Sequence, residues 1–279
     1  MLRLFLIFNL LLVGLKAEDT CFTIFSFNDT YSIFQKKQFS DLPQIMTLLE
    51  KEKQNAGQMI TLMNGKIEAF DERTDSLMEI IGQMGVDYIC VSQGFFKNSK
   101  TLKKANLQCL AANCIGMDNL PVAKAKQVQV FIVDGIKIGL FGLIDISTDK
   151  KDDILCVSPF FTAKQKVAEL KKQGVDVIVV VTQLKSKEDR YLAQRVPEID
   201  VIIGCSEGDP ISWFEGKTFI HQTSLKEPHI ARIDIHIQKK NTPWRTDIEI
   251  LPTWHLVVND KISPDAKISK IIEDLNQKL

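Results

Sequence analysis

Apolar runs of strand length recur along this chain with helix-forming stretches between them, and that alternation restricts the fold more than any other feature. The runs are Phe22 to Phe27, Met59 to Met63, Tyr88 to Val91, Gln108 to Ala111, Lys137 to Leu143, Val175 to Val181 and Val201 to Ile203. They are continuous, as in strands buried on both faces of sheets covered by helices. Apolar spacing places helices at Leu42 to Lys53, Ser76 to Met84, Thr162 to Gln173 and Lys187 to Arg195. In the third of these, Val167, Ala168 and Leu170 run into Lys171-Lys172 and then Gly174, a helix ending in cations and a glycine cap. The last third changes character. Phe219 to Ile220 and Ala231 to Ile237 alternate apolar with polar residues, as in Ile233, Ile235 and Ile237 against Asp234 and His236, which predicts antiparallel strands with one wetter face. The whole reads as α/β.

The first residues predict the compartment. Arg3 precedes an apolar stretch from Leu4 to Leu15, broken only by Asn9 and Gly14, and then Lys16-Ala17, so residues 1–17 read as a signal peptide. A transmembrane helix needs about 20 apolar residues and this run is about a dozen, which makes a retained anchor the lesser reading. The end from Ile262 to Leu279 is charged and amphipathic, so the expectation is a secreted or lumenal protein with no stable membrane anchor. Lysine plus arginine equal aspartate plus glutamate at 35 each, which argues against a nucleic-acid partner. Six cysteines (Cys21, Cys90, Cys109, Cys114, Cys156 and Cys205) suit a disulfide-forming compartment without indicating the pairing, and small buried thiols fit Cys90 and Cys109 equally well.

Ordered blocks carry a family resemblance. Phe22 to Ser32 ends in Asn28-Asp29-Thr30-Tyr31-Ser32 and resembles the strand and N-D-x-H-[SG] turn that open a calcineurin-like 5'-nucleotidase. Leu62 to Lys66 is similar to L-D-x-G-D, Val86 to Phe96 to Y-D-x-x-x-x-G-N-H-E-F, Ala111-Ala112-Asn113 to S-A-N, and Gly135 to Gly142 to G-x-K-[IV]-G-x-x-G. Gly174 to Gln183, Glu188-Asp189, Leu192-Ala193 and Val196 to Gly204 follow the stretch that ends in V-P-x-I-D-V-I-I-G-G-H-S-H. The resemblance implies a four-layer α-β-β-α sandwich of two mixed β-sheets flanked by helices. It further implies a metallophosphoesterase-like domain at residues 18–260, with a C-terminal amphipathic helix at 261–279.

That family uses two divalent metal ions, bridged by a carboxylate, so that a bound hydroxide attacks phosphorus in line. Carried over position by position, the resemblance retains Asp29. It places Tyr31 at the adjacent histidine, Lys66 at the bridging aspartate, Gln93 and Gly94 at the asparagine-histidine pair, Gln183 at the next histidine, and Ser206 and Gly208 at the last two. An ammonium at the bridging position repels dications. Lys66 instead offers Asp29 an ion pair in place of metal. No cofactor is then expected. A site rebuilt from Glu68, Asp71, Glu207, Asp209 or a histidine is the weaker reading, because His221, His229, His236 and His255 all lie beyond the ligand motifs, on strands expected at sheet edges.

Other features are less specific. Asn28-Asp29-Thr30 is a glycosylation sequon in a turn the family buries. Phe95, Phe96, Trp213 and Phe214 either line an apolar pocket in the vacated cleft or simply pack. Ser206 lacks a nearby base and is no nucleophile. Ser263 reads as the N-cap of a short helix through Ile268, Ile271, Ile272 and Leu275, with Pro264 in its first turn. The family's nucleotide-reading second domain is not matched. The expectation is a catalytically inactive, 5'-nucleotidase-like binding or interaction module with an unknown protein or small-ligand partner; the alternative is an active metal-dependent phosphoester hydrolase with an atypical site.

Overall fold

The structure is a computed structural model that describes residues 19–28, 41–65, 72–98, 107–146, 154–224, 229–238, 247–256 and 261–277. Two six-stranded mixed sheets face each other. The first takes β1 (Asp19–Asn28), β2 (Gln58–Gly65), β3 (Tyr88–Val91), β4 (Gln108–Cys109), β13 (His229–Gln238) and β14 (Asp247–Leu256) in the order β14-β13-β1-β2-β3-β4. The second takes β6 (Gln129–Val133), β7 (Ile136–Leu143), β9 (Val177–Thr182), β10 (Val201–Glu207), β11 (Ile211–Glu215) and β12 (Thr218–Ser224) in the order β11-β12-β10-β9-β7-β6. A small two-stranded sheet pairs β5 (Cys114–Gly116) with β8 (Ile154–Cys156).

The continuous apolar runs work as expected. In β9, Val177, Val179 and Val181 enter the core between the sheets, while Ile178 and Val180 enter a second core under helices α3 (Pro159–Lys172) and α4 (Ser186–Arg195). A strand has a period of two, so only an unbroken apolar run can satisfy both layers at once. The outer face of the first sheet is covered by α1 (Leu42–Lys53), α2 (Glu72–Gln83) and α5 (Ala266–Asn276). Ile268 and Ile272 of α5 belong to the same core as β1. These are the four layers that the resemblance implied.

Local signals match closely. α1 has the expected bounds, and α3 closes with the Val175 N–H on the Leu170 carbonyl (3.1 Å), the Gly174 N–H on that of Lys171 (3.0 Å), and Gly174 at φ +70°. This glycine-dependent turn satisfies the terminal carbonyls. β13 pairs antiparallel with β1 and β14, burying Ile233, Ile235 and Ile237 and leaving Arg232, Asp234 and His236 half-buried.

Three expectations are corrected. β12, read as antiparallel, lies parallel to β10 and antiparallel to β11. It is therefore an interior strand, as is β13, so His221, His229 and His236 are not on edge strands and only His255 on β14 is. The cap of α5 is Asp265, whose Oδ1 accepts the Ile268 N–H at 2.8 Å, while the Ser263 carbonyl accepts the Thr47 hydroxyl at 2.8 Å. Aspartate caps as well as serine does, and local sequence does not choose between two good candidates.

Candidate functional site

The resemblance puts the cleft at the carboxyl ends of the parallel strands, and the ends of β1, β2, β3, β9 and β10 meet there through hydrogen bonds. Asp29, Tyr31 and Lys66 lie outside the described residues, as do Glu68 and Asp71, and the Asp29–Lys66 pair with them. Gln93 and Gly94 open a 3₁₀ turn, Gln93–Asn98, after β3. Gln183 follows β9, Ser206 lies in β10, and Gly208 follows it.

Amides, not acids and imidazoles, hold this junction together. Gln183 is buried, and its Nε2 donates to Asn64 Oδ1 (2.7 Å) and to the Cys90 carbonyl (2.7 Å), with the Gly65 carbonyl at 3.3 Å. Asn64 answers from the opposite sheet, its Nδ2 donating to the carbonyls of Thr182 (3.1 Å) and Ile203 (2.9 Å). Each amide thus reaches across the space between the sheets. These amides add hydrogen bonds to buried carbonyls at the strand ends, where a polar group out of reach of water must be satisfied.

The neighbouring polar side chains do the same work. Asn28 is 4% exposed, its Nδ2 donating to the Cys205 and Thr223 carbonyls at 3.4 Å each, so the sequon asparagine is buried in this structure. Gln93 donates to the Ile154 carbonyl at 3.3 Å. Asn113 ties three segments: its Nδ2 donates to the Ile144 (2.8 Å) and Val157 (3.0 Å) carbonyls and its Oδ1 accepts the Ile144 N–H (2.8 Å). The Ser206 hydroxyl donates to Gln222 Oε1 at 3.3 Å, an amide oxygen rather than a histidine base. Of the aromatics, Phe95 and Phe96 are buried core residues in edge contact (6.3 Å), Trp213 packs on the second core, and Phe214 on edge strand β11 is exposed. Packing, the blander of the two readings, describes Phe95 and Phe96.

A metal pair needs several oxygen or nitrogen donors converging on each ion. Among the described residues no three His, Cys, Asp or Glu side chains gather in that way. Gln183 Oε1 is a buried oxygen without a hydrogen-bond partner, but it is a single neutral donor, and its Nε2 presents protons. The described ligand positions therefore do not fit the family's dinuclear centre.

The buried histidines belong to the scaffold. His221 Nδ1 lies 3.0 Å from the Ser212 hydroxyl, and its ring meets His229 edge-on at 6.4 Å. Burial, aided by His229, pushes the His221 imidazole down to about 3, which makes it a poor base for Ser212. A histidine with a depressed folded pKa contributes stability above its unfolded value of 6.5 that is lost as pH falls toward 3. The folding constant of the wild type relative to His221→Gln is therefore expected to fall about tenfold per pH unit between pH 6 and pH 4 in urea titrations. Parallel pH profiles would refute a neutral buried His221.

The comparisons with known proteins agree with this fold. The 5'-nucleotidase precursor of Thermus thermophilus superposes with a TM-score of 0.73 at 16% identity, over 92% of this chain and 59% of that one. The fold is that of the 5'-nucleotidase N-terminal domain. In sequence, the Aedes albopictus apyrase is 33% identical over 147 residues, 50% of this chain and 26% of that enzyme. The NAD 5'-nucleotidase of Haemophilus influenzae is 31% identical over 110 residues, 37% of this chain and 18% of that enzyme. The matched stretches are thus about a quarter or less of these relatives, and this chain spans about three fifths of the solved Thermus nucleotidase. No family profile matches the chain. The bridging hydrogen bonds of Asn64 are not visible in the sequence because it is the variable position of the L-D-x-G-D block; the signal available is an amide two residues before Lys66.

Proposed function

We propose that the chain is a non-catalytic 5'-nucleotidase-type domain of the secretory route, serving as a binding or interaction module for a protein or a small ligand. The observation that supports this most is Gln183. At a family histidine position it spends its amide protons on Asn64 and Cys90, closing the junction that a metal ligand would otherwise face. A catalytic site with the same fold would keep an acceptor nitrogen there. The Cys114–Cys156 disulfide supports an oxidising compartment, and no described helix is long and apolar enough to cross a membrane.

The second reading, a hydrolase with an atypical and mononuclear site, draws on the retained Asp29 and the unpartnered Gln183 Oε1. One experiment separates them. The purified protein is equilibrated with zinc or manganese, desalted and assayed for metal content and for hydrolysis of a nucleotide panel that includes NAD, beside its Asp29→Ala variant. Metal far below one equivalent, with rates equal in the two proteins, is expected. Near-stoichiometric metal together with hydrolysis abolished by Asp29→Ala would overturn the proposal.

A further inference from the structure

Asp189, on the first turns of α4, is the only buried carboxylate among the described residues and has no exposure at all. Its Oδ1 accepts the Thr182 hydroxyl of β9 at 2.8 Å, and its Oδ2 accepts Gln222 Nε2 of β12 at 2.6 Å. No Lys, Arg or His pairs with it among the described residues. The charged groups acting on it are Glu188 of its own helix and Glu207 of β10, both anionic. From β10, Gly204 packs so closely that a Cβ there would run into both Asp189 and Gln222, which leaves no room for water. The helix start offers an anion only a fraction of a charge. Two neutral donors and that fraction do not replace the hydration of a carboxylate.

Gln222 couples this acid to the cleft. The same amide that donates to Asp189 accepts, through Oε1, the N–H (3.1 Å) and the hydroxyl (3.3 Å) of Ser206. Ser206 starts the turn that carries two of the family's ligand positions.

We propose that Asp189 is carried as a neutral carboxylic acid at neutral pH and works as a proton-operated latch on the Ser206–Gly208 turn at the cleft. In the neutral acid Oδ1–H donates to the Thr182 hydroxyl, reversing that bond, and Oδ2 still accepts from Gln222, so both contacts are kept. Loss of the proton to solvent leaves a buried anion facing Glu188 and Glu207. Relief then requires water to enter or the Gln222 amide to reorient so that more of its N–H charge faces the carboxylate, and either change loosens the hold on Ser206. Burial pushes the Asp189 carboxyl up to about 8, in the same direction. The sign is opposite to that of an ion-paired acid: stability is full below the unfolded value of 3.8 and is lost as pH rises toward 8. The latch does not depend on whether the cleft is catalytic.

Asp189→Asn is the isosteric test, since its Nδ2 donates to Thr182, its Oδ1 accepts from Gln222, and it has no proton to lose. Between pH 5 and pH 7.5 the folding constant of the wild type relative to Asp189→Asn should fall about tenfold per pH unit in urea titrations, with titrations common to both proteins cancelling. At pH 8.5 hydrogen exchange at Ser206 should be faster in the wild type than in the variant. Parallel stability profiles, or equal exchange at Ser206, would overturn the latch. If the variant does not fold, 13C-carboxyl NMR of the wild type decides: an Asp189 midpoint above pH 7 supports the neutral acid, and one below pH 7 refutes it.

Discussion

Replacing Cys114 and Cys156 together by alanine is expected to destabilise the protein by about 4 kcal/mol. The bond closes a loop with a sequence separation of 42, and the chain-entropy relation assigns a loop of that size about 4 kcal/mol of lost denatured-state freedom. β5 and β8 are three residues each and pair only with one another as strands, and Leu155 opposite Ile115 is 56% exposed, so packing on that side is thin. Asn113 fastens the segment from beneath through Ile144 and Val157, so the local backbone stays oriented after the bond is gone. The melting temperature should drop by roughly 8–16 °C, read by calorimetry on the double variant and on wild type with reductant. A drop below about 3 °C in both would mean that the mini-sheet is held by its packing and not by the crosslink.

The second large effect is expected at the sheet junction. Gln183→Ala strips the donor from Asn64 Oδ1 and from the Cys90 carbonyl, both buried. Each stranded acceptor costs about 1–3 kcal/mol, so a total near 3 kcal/mol is expected, with a fall in melting temperature of roughly 6–12 °C. Gln183→Glu should be at least as damaging, because it places a carboxylate oxygen against those same oxygens in a dry site. Gln183→His keeps one N–H donor and should recover part of the loss. It should gain no stoichiometric zinc, since among the described residues no three His, Cys, Asp or Glu side chains gather to complete a site. A Gln183→Ala protein as stable as wild type would show that the amide pair does not hold the sheets, and the main support for the non-catalytic reading would go with it.

The His221 and Asp189 titrations act in opposite senses over the same range. As pH falls, protonation of His221 works against the fold while protonation of Asp189 works for it. A single acid-denaturation curve of the wild type would therefore blur both, and only comparison with His221→Gln and with Asp189→Asn resolves them.

Much of the architecture was legible from residues alone. Val177 to Val181 is apolar at every position, and only a strand covered on both faces tolerates that, so the layers followed from one dimension. The α3 terminus was legible too, because Lys171-Lys172 and Gly174 act through bonds no more than five residues apart. The order of the motif blocks carried the fold by resemblance, and the substituted ligand positions were visible as residue types. Non-local choices were not legible: whether β12 joined β10 in parallel, and which cysteines met. Each depends on which distant segment arrives alongside, and loop closure leaves no local trace in composition.

The same division runs through the cleft. The sequence supplied the residue types Gln183, Ser206, Gly208 and Lys66, which the family resemblance sets at positions where it expects metal ligands. Only the tertiary structure decided what the replacements do. Gln183 and Asn64 are 119 residues apart, and their amides meet because two sheets bring strand ends together. In the sequence Asp189 stands only as part of the Glu188-Asp189 block of the resemblance. Its lack of exposure, and the two neutral donors around it, exist only once β9, β10 and β12 close over α4, because a proton's affinity is set by solvation and neighbours in space rather than by neighbours in the chain.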